Sequence, residues 1–200
     1  MGEDGVCRVY ILRLGHRPKR DKRVTTHLML AARALGAGGV FYTGERDGRV
    51  EEKVRDVTRR WGGTFEVEYV KDWRRLISEW KRGGGEVIHL TMYGLPIQNV
   101  IQNIRESGRD KLVIVGGAKV PGEVFKLADW NISVTNQPHS EVSALAIFLH
   151  ELFQGRELTK TFEDAVIRVI PQARGKRVIH HDRAARDEPV MVKPGSSQSN

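Results

Sequence analysis

Three short stretches carry residue types suited to holding a flat, partly polar ligand: 91–96 (Thr-Met-Tyr-Gly-Leu-Pro), 116–122 (Gly-Gly-Ala-Lys-Val-Pro-Gly) and 135–140 (Thr-Asn-Gln-Pro-His-Ser). Their glycines and prolines leave little side-chain bulk, so backbone groups can approach a ligand closely. Plain tight connections between elements would show the same residues. His139, Ser140 and Glu141 open the clearest amphipathic helical pattern in the chain. A helix start presents unpaired N–H groups that suit an anion. A helix cap followed by a first-turn acid accounts for the same residues.

Other familiar chemistry does not fit. Gly116-Gly-Ala-Lys119 lacks the spacing of a phosphate-binding loop and has no hydroxyl after the lysine. Gly36-Ala-Gly-Gly39 follows a helical pattern rather than a strand, so it is not a dinucleotide fingerprint. His150-Glu151 has no second histidine at helical spacing, and His180 and His181 are adjacent, so they point to opposite faces of a strand. No metal site and no Ser-His-Asp set is expected.

Positive charge is concentrated in two places. Arg13, Arg17, Lys19, Arg20, Lys22 and Arg23 stand against Asp21 alone, and Arg168, Arg174, Lys176, Arg177, Arg183 and Arg186 against Asp182. Both stretches hold turn formers, which let side chains fan out toward phosphates, so nucleic acid is the expected partner, with two solvated surfaces of an Arg-rich protein as the alternative. The net charge of +8 and sequence pI near 9.8 have the same sign.

These residues must be positioned by an alternation of strands and helices. Strand patterns lie at 6–14, 40–42, 65–70, 87–90, 112–115 and 131–134. Helical stripes follow most of them: Leu28, Ala31, Ala32 and Leu35; Val50, Val54, Val57 and Trp61; Trp73, Leu76, Ile77 and Trp80; 97–105; 123–128; and 142–153. Thr25 and Thr26 are expected N-caps after a loop at 15–23, and 91–96 is expected as a loop. The fully apolar 112–115 suits a strand buried on both faces. The expected fold class is therefore α/β, a mostly parallel sheet with helices on both faces. The rhythm changes after Gly155: 165–170 and 176–179 flank a Pro-Gln-Ala-Arg-Gly turn and read as a β-hairpin. The expected organisation is a main domain over 1–160, a hairpin extension over 161–182 and a loose polar tail over 183–200.

Two hundred residues suffice for one core without staples. Cys7 is the sole cysteine, which excludes an internal disulfide framework and fits a reducing cytosol, so a cytoplasmic location is expected. The longest apolar run, 144–149, is too short to cross a bilayer, and no membrane association is expected. The polar start Met1-Gly-Glu-Asp-Gly5 does not read as a signal peptide.

Taken in order, Leu12-Arg-Leu-Gly-His-Arg17, Arg20-Asp-Lys-Arg-Val-Thr-Thr-His27, Ala32-Arg-Ala-Leu-Gly36, Trp61-Gly-Gly63, His89-Leu-Thr-Met-Tyr-Gly94, the 116–121 stretch, Asn136-Gln-Pro-His-Ser-Glu-Val142 and Ile170-Pro171 resemble one family. It is the archaeal tRNA cytidine-56 2′-O-methyltransferase family of the SPOUT superfamily, and the likeness runs from about Val9 to Val178. The resemblance implies a C-terminal trefoil knot, a homodimer, and S-adenosylmethionine bound in bent form by the knot loops. Carried over by position, the cofactor would be held by Leu90, by Gly116, Gly117, Ala118, Lys119 and Val120, and by Val134, Thr135, Asn136, Gln137, Pro138, His139, Ser140 and Glu141. Superfamily members place an arginine of the first motif near the acceptor hydroxyl; Leu30 occupies that place here. The role is expected to pass to Arg23 or Arg17, then Arg20, acting on the developing alkoxide, because a guanidinium stays protonated. His27 or a substrate phosphate would take the proton. Arg13, Tyr93, Arg168, Arg174, Lys176 and Arg177 are the expected RNA contacts in the tRNA elbow. The rival expectations are a non-catalytic RNA-binding protein of the same fold and an α/β enzyme using another nucleotide.

Overall fold

The computed structural model describes residues 7–117 and 119–181. One sheet holds β1 (Val9–His16), β2 (Gly39–Gly44), β3 (Glu66–Tyr69), β4 (Glu86–Pro96), β5 (Lys111–Gly116) and β6 (Trp130–Ser133). The strand order is β3-β2-β1-β5-β4-β6, and every pairing is parallel. Between and after the strands run α1 (Pro18–Ala34), α2 (Gly48–Trp61), α3 (Trp73–Arg82), α4 (Ile97–Glu106), α5 (Glu123–Leu127) and α6 (Glu141–Phe153).

Strand alternation divides the core between the two faces of the sheet. Val9 and Ile11 of β1, with Val113 and Ile88, pack under α1, α2, α4 and α6. Leu12 and Leu14, with Ile114 and Val87, pack under α3 and α5. Helices thus cover both faces, as the alternating pattern requires. Local chemistry sets most helix starts. Asp47 accepts from the amides of Arg49 and Val50, Asp72 from those of Arg74 and Arg75, and Ser140 from that of Val142.

Two expectations are corrected. The 15–23 stretch is not a loop, since α1 already begins at Pro18, without a side-chain cap. Proline at the first helical position has φ preset and loses no needed donor, so it starts the helix alone. Thr25 and Thr26 are therefore buried mid-helix: Thr25 Oγ1 lies 2.9 Å from His16 Nδ1, and Thr26 Oγ1 donates to Lys22 O at 2.8 Å. Likewise 91–96 continues β4 rather than leaving the sheet. Both Leu90 and Leu95 pair with Ile132, so the residues between them bulge outward and pairing then resumes. Gly94 makes this possible, because a Cβ there would collide with the Asn131–Ile132 backbone.

The C-terminal hairpin, β7 (Ile167–Ile170) and β8 (Arg177–His180), is antiparallel as expected. Its base is tied to the end of α2: Val166 N donates to Arg60 O at 3.0 Å, and Gly63 N to Asp164 Oδ1 at 2.7 Å. Arg33 of α1 donates to Gly62 O and lies 5.2 Å over the Phe162 ring. The hairpin thus belongs to the pole where the strands begin. The 183–200 stretch and Ala118 lie outside the described residues.

Candidate active site

The sheet ends in a cleft of about 950 Å³ at the opposite pole, where β4, β5 and β6 give way to their following segments. This is where open parallel sheets bind ligands, and the volume suits a nucleoside-sized molecule. Each of the three stretches singled out by residue type supplies a wall. From the β4 bulge come Thr91, Met92 and Tyr93, with Leu90 just before them. Gly116, Gly117, Lys119 and Val120 line it after β5; Val134, Gln137, Pro138, His139, Ser140 and Glu141 line it around the start of α6. Thr135 and Asn136 brace the last wall instead: Asn136 Nδ2 donates to Met92 O at 2.6 Å, tying it to the β4 bulge, and Thr135 Oγ1 accepts from Gln137 N at 3.3 Å.

The fourth wall is α1. Because the helix begins at Pro18, its first turns present Arg17, Arg20, Asp21 and Val24 to the cleft. Arg23 and His27 are exposed on α1 but do not line the cleft. Of the expected catalytic residues, the structure brings Arg17 and Arg20 to the site. Asp21 was not singled out by residue type. Arg17 Nε donates to Asp21 Oδ2 at 2.9 Å, and this bond holds the carboxyl below its ordinary range.

Arg13 is not on the surface that RNA could reach, contrary to expectation. It shares the face of β1 with Val9 and Ile11, is 1% exposed, and sits below Gly117. Its Nη2 donates to Glu141 Oε1 at 3.2 Å, while Nε and Nη1 have no hydrogen-bond partner. Burial pulls its pKa down, against the pull of Glu141. Arg13 therefore fixes Glu141, a cleft residue, from beneath. Tyr93, by contrast, is 79% exposed on the rim, while Arg168, Arg174, Lys176 and Arg177 are exposed on the distant hairpin.

Sequence reasoning also missed His89 and Phe125 on the cleft floor. Asn131 Nδ2 donates to Phe125 O at 2.9 Å, which turns Asn131 Oδ1 toward His89 Nδ1, also at 2.9 Å. Oδ1 can only accept, so Nδ1 carries the proton and Nε2 is left as an acceptor. Burial pushes the His89 pKa down, keeping the ring neutral. The sequence signal was there: His89 lies inside an apolar strand pattern, where an unpaired charge would be costly.

S-adenosylmethionine fits this cleft. An added Cβ at Gly116 would overlap Val120, so the backbone at 116 runs where any larger residue would intrude. Leu90, Val115, Val120, Phe125 and Pro138 supply apolar cover beside the backbone edges. Among the described residues no group of side chains could hold a metal ion.

Solved structures with this fold include the A. aeolicus TrmH/SpoU tRNA modifying enzyme (TM-score 0.58, 16% identity, 77% of this chain and 79% of the other). Another is the SpoU methyltransferase AviRb from Streptomyces viridochromogenes in complex with the cofactor AdoMet (TM-score 0.55, 17% identity, 75% and 58%). The fold is thus that of the SPOUT methyltransferases. A family profile described as "tRNA ribose 2'-O-methyltransferase, aTrm56" matches residues 61–179. The tRNA (cytidine(56)-2'-O)-methyltransferase of Methanothermobacter thermautotrophicus is 60% identical over 168 residues, covering 84% of this chain and 94% of the relative. That of Pyrococcus horikoshii is 47% identical over 197 residues, with 96% of each chain covered. The chain belongs to the archaeal tRNA ribose 2′-O-methyltransferase family.

Proposed function

We propose that the chain transfers a methyl group from S-adenosylmethionine to the ribose 2′-oxygen of cytidine 56 in the tRNA T-loop. One observation carries the reading: the three backbone-lined walls and the basic start of α1 meet on a single cleft. Family membership and the relatives' activity, tRNA (cytidine(56)-2'-O)-methyltransferase, support it.

When bound, S-adenosylmethionine supplies a methyl group on a sulfonium whose thioether product is a good leaving group. The protein's task is positioning and charge. Leu90, Val120 and the backbone at 116–117 would hold it on one side, and Val134 with Gln137 to Glu141 on the other. Arg17 and Arg20 face the acceptor and stabilise negative charge developing on its oxygen. Asp21 and Glu141 line the cleft where the hydroxyl proton would be released, and His27 does not. Tyr93 offers a stacking face on the rim. Arg168, Arg174, Lys176 and Arg177 meet a part of the tRNA away from the cleft.

The trefoil knot and a cytoplasmic location belong to the same reading. So does a homodimer, which would cover Val169 and Val178, exposed apolar partners in register on the hairpin. Light scattering should then give twice the chain mass. For the activity, label from a methyl-tritiated donor should enter an unmodified tRNA transcript and map by nuclease digestion to the ribose at position 56. Incorporation elsewhere, or tight tRNA binding without incorporation, overturns the reading.

A further inference from the structure

A second cavity, of about 570 Å³, adjoins the cleft at the ends of β1 and β2. The two share Arg17, Arg20, Gly117 and Lys119, so a ligand bridging them would pass along a basic wall. The far side is different. It is built from Gly15, Gly44 and Glu45, whose backbone is firmly held. Glu45 N donates to His16 O at 2.9 Å, Tyr69 Oη to Gly44 O at 3.0 Å, and Gly15 N to Thr43 Oγ1 at 3.1 Å. Gly44 has φ +101°, and a Cβ there would collide with the His16 carbonyl, so the turn requires glycine.

Glu45 is the one acid that lines this cavity among the described residues. Its carboxylate has no hydrogen bond or ion pair there, and its charge is felt by Arg17 only as an addition to that of Asp21. A lone carboxylate on a wall that must receive RNA repels phosphate unless a donor comes to meet it. A nucleobase amine is such a donor. Cytosine offers an exocyclic N4 amine where uracil offers an O4 acceptor, and carboxylates read cytosine through that amine.

We propose that the second cavity seats the acceptor nucleotide and that Glu45 reads its base by accepting a hydrogen bond from the cytosine N4 amine. The ribose then lies at the junction of the cavities, beside Arg17 and Arg20, with its 2′-hydroxyl turned into the methyl-donor cleft. This rests on the cytidine reading above.

Single-turnover methyl transfer to tRNA transcripts bearing cytidine or uridine at position 56 tests it. The wild-type chain should favour cytidine in the rate of transfer by about tenfold or more. Glu45→Ala should lower the cytidine rate and bring the ratio near one. Glu45→Gln, whose amide can donate to O4, should shift the ratio toward uridine. Both variants should bind S-adenosylhomocysteine like the wild type, which shows that the neighbouring cleft is intact. A wild-type ratio near one, or a wild-type preference kept by both variants, overturns the assignment of Glu45. No transfer to either transcript by the wild-type chain overturns the methyltransferase reading itself.

Discussion

Arg17 and Arg20 are the arginines we propose to act in transfer, because among Arg13, Arg17, Arg20 and Arg23 they alone line both cavities. Replacing either with alanine should lower single-turnover methyl transfer by roughly 10²-fold, the usual scale for losing a transition-state charge partner. Arg23→Ala should stay within about threefold by the same scale, since its side chain lies off the cleft. Equal losses at all three positions would assign them to phosphate contact alone. Gly116 is decided by volume rather than charge. Gly116→Ala should weaken calorimetric binding of S-adenosylhomocysteine by about tenfold, because the new methyl meets Val120. Adding Val120→Ala should restore part of the loss, as expected for two residues sharing one space. Strict additivity would remove the steric account.

Elements matter here through where they start. Beginning α1 at Pro18 swings Arg17, Arg20 and Asp21 onto the cleft and leaves Arg23 and His27 off its wall. A loop start would have given the arginines no common direction. The neighbouring α2 is capped by Asp47, whose side chain accepts from two amides and lies 3.5 Å from His16 Nε2 through Oδ2. Asp47→Ala should destabilise the chain by about 1 kcal/mol in urea unfolding, the typical worth of an N-cap. No shift of the midpoint would mean that the cap is redundant. The hairpin is the opposite case, an element legible in the sequence whose place was not. Its basic residues sit at the far pole from the cleft. Arg174→Ala with Arg177→Ala should therefore weaken tRNA binding and flatten its salt dependence while leaving donor affinity unchanged. A loss of donor affinity would bring the hairpin to the cleft.

The whole molecule has two poles with different work. At the strand beginnings, Glu86 is buried against Lys111 at 2.8 Å, and Arg109, Trp130 and Ser107 complete its hydrogen bonds. Burial alone would raise the Glu86 pKa, but these donors outweigh it and hold it below its ordinary value. That contribution is full above the ordinary carboxylate range and is lost as the pH falls through the folded value. The alkaline limit lies elsewhere. Tyr42 is buried and bonded to Glu51, which pushes its pKa up to about 12 from an ordinary 10.0. Below pH 10 its contribution is complete. Between there and 12 the unfolded chain sheds the proton while the folded one keeps it, so stability falls as the pH rises. Tyr42→Phe should be less stable near neutrality, yet show a shallower decline over that alkaline interval in thermal melts. An unchanged slope would place the alkaline transition on other groups.

Alternation, apolar stripes, caps and glycine stops are local, so the strand-helix order and the three stretches that wall the cleft could be read from residue types and spacing. The order of motifs was equally linear, and it pointed to the family before any contact was known. Burial across the sheet was half legible: Arg13 shares parity with Val9 and Ile11, a pattern that could have marked it as interior. What no spacing encodes is which surfaces come to face one another. The meeting of α1 with the 134–141 wall, the bracing of Asn136 on Met92, the orientation of His89 by Asn131, and the second cavity behind Glu45 all join residues far apart in the chain. Periodicity records only whether a side chain is covered. The partner that covers it depends on strand order and on packing between distant segments.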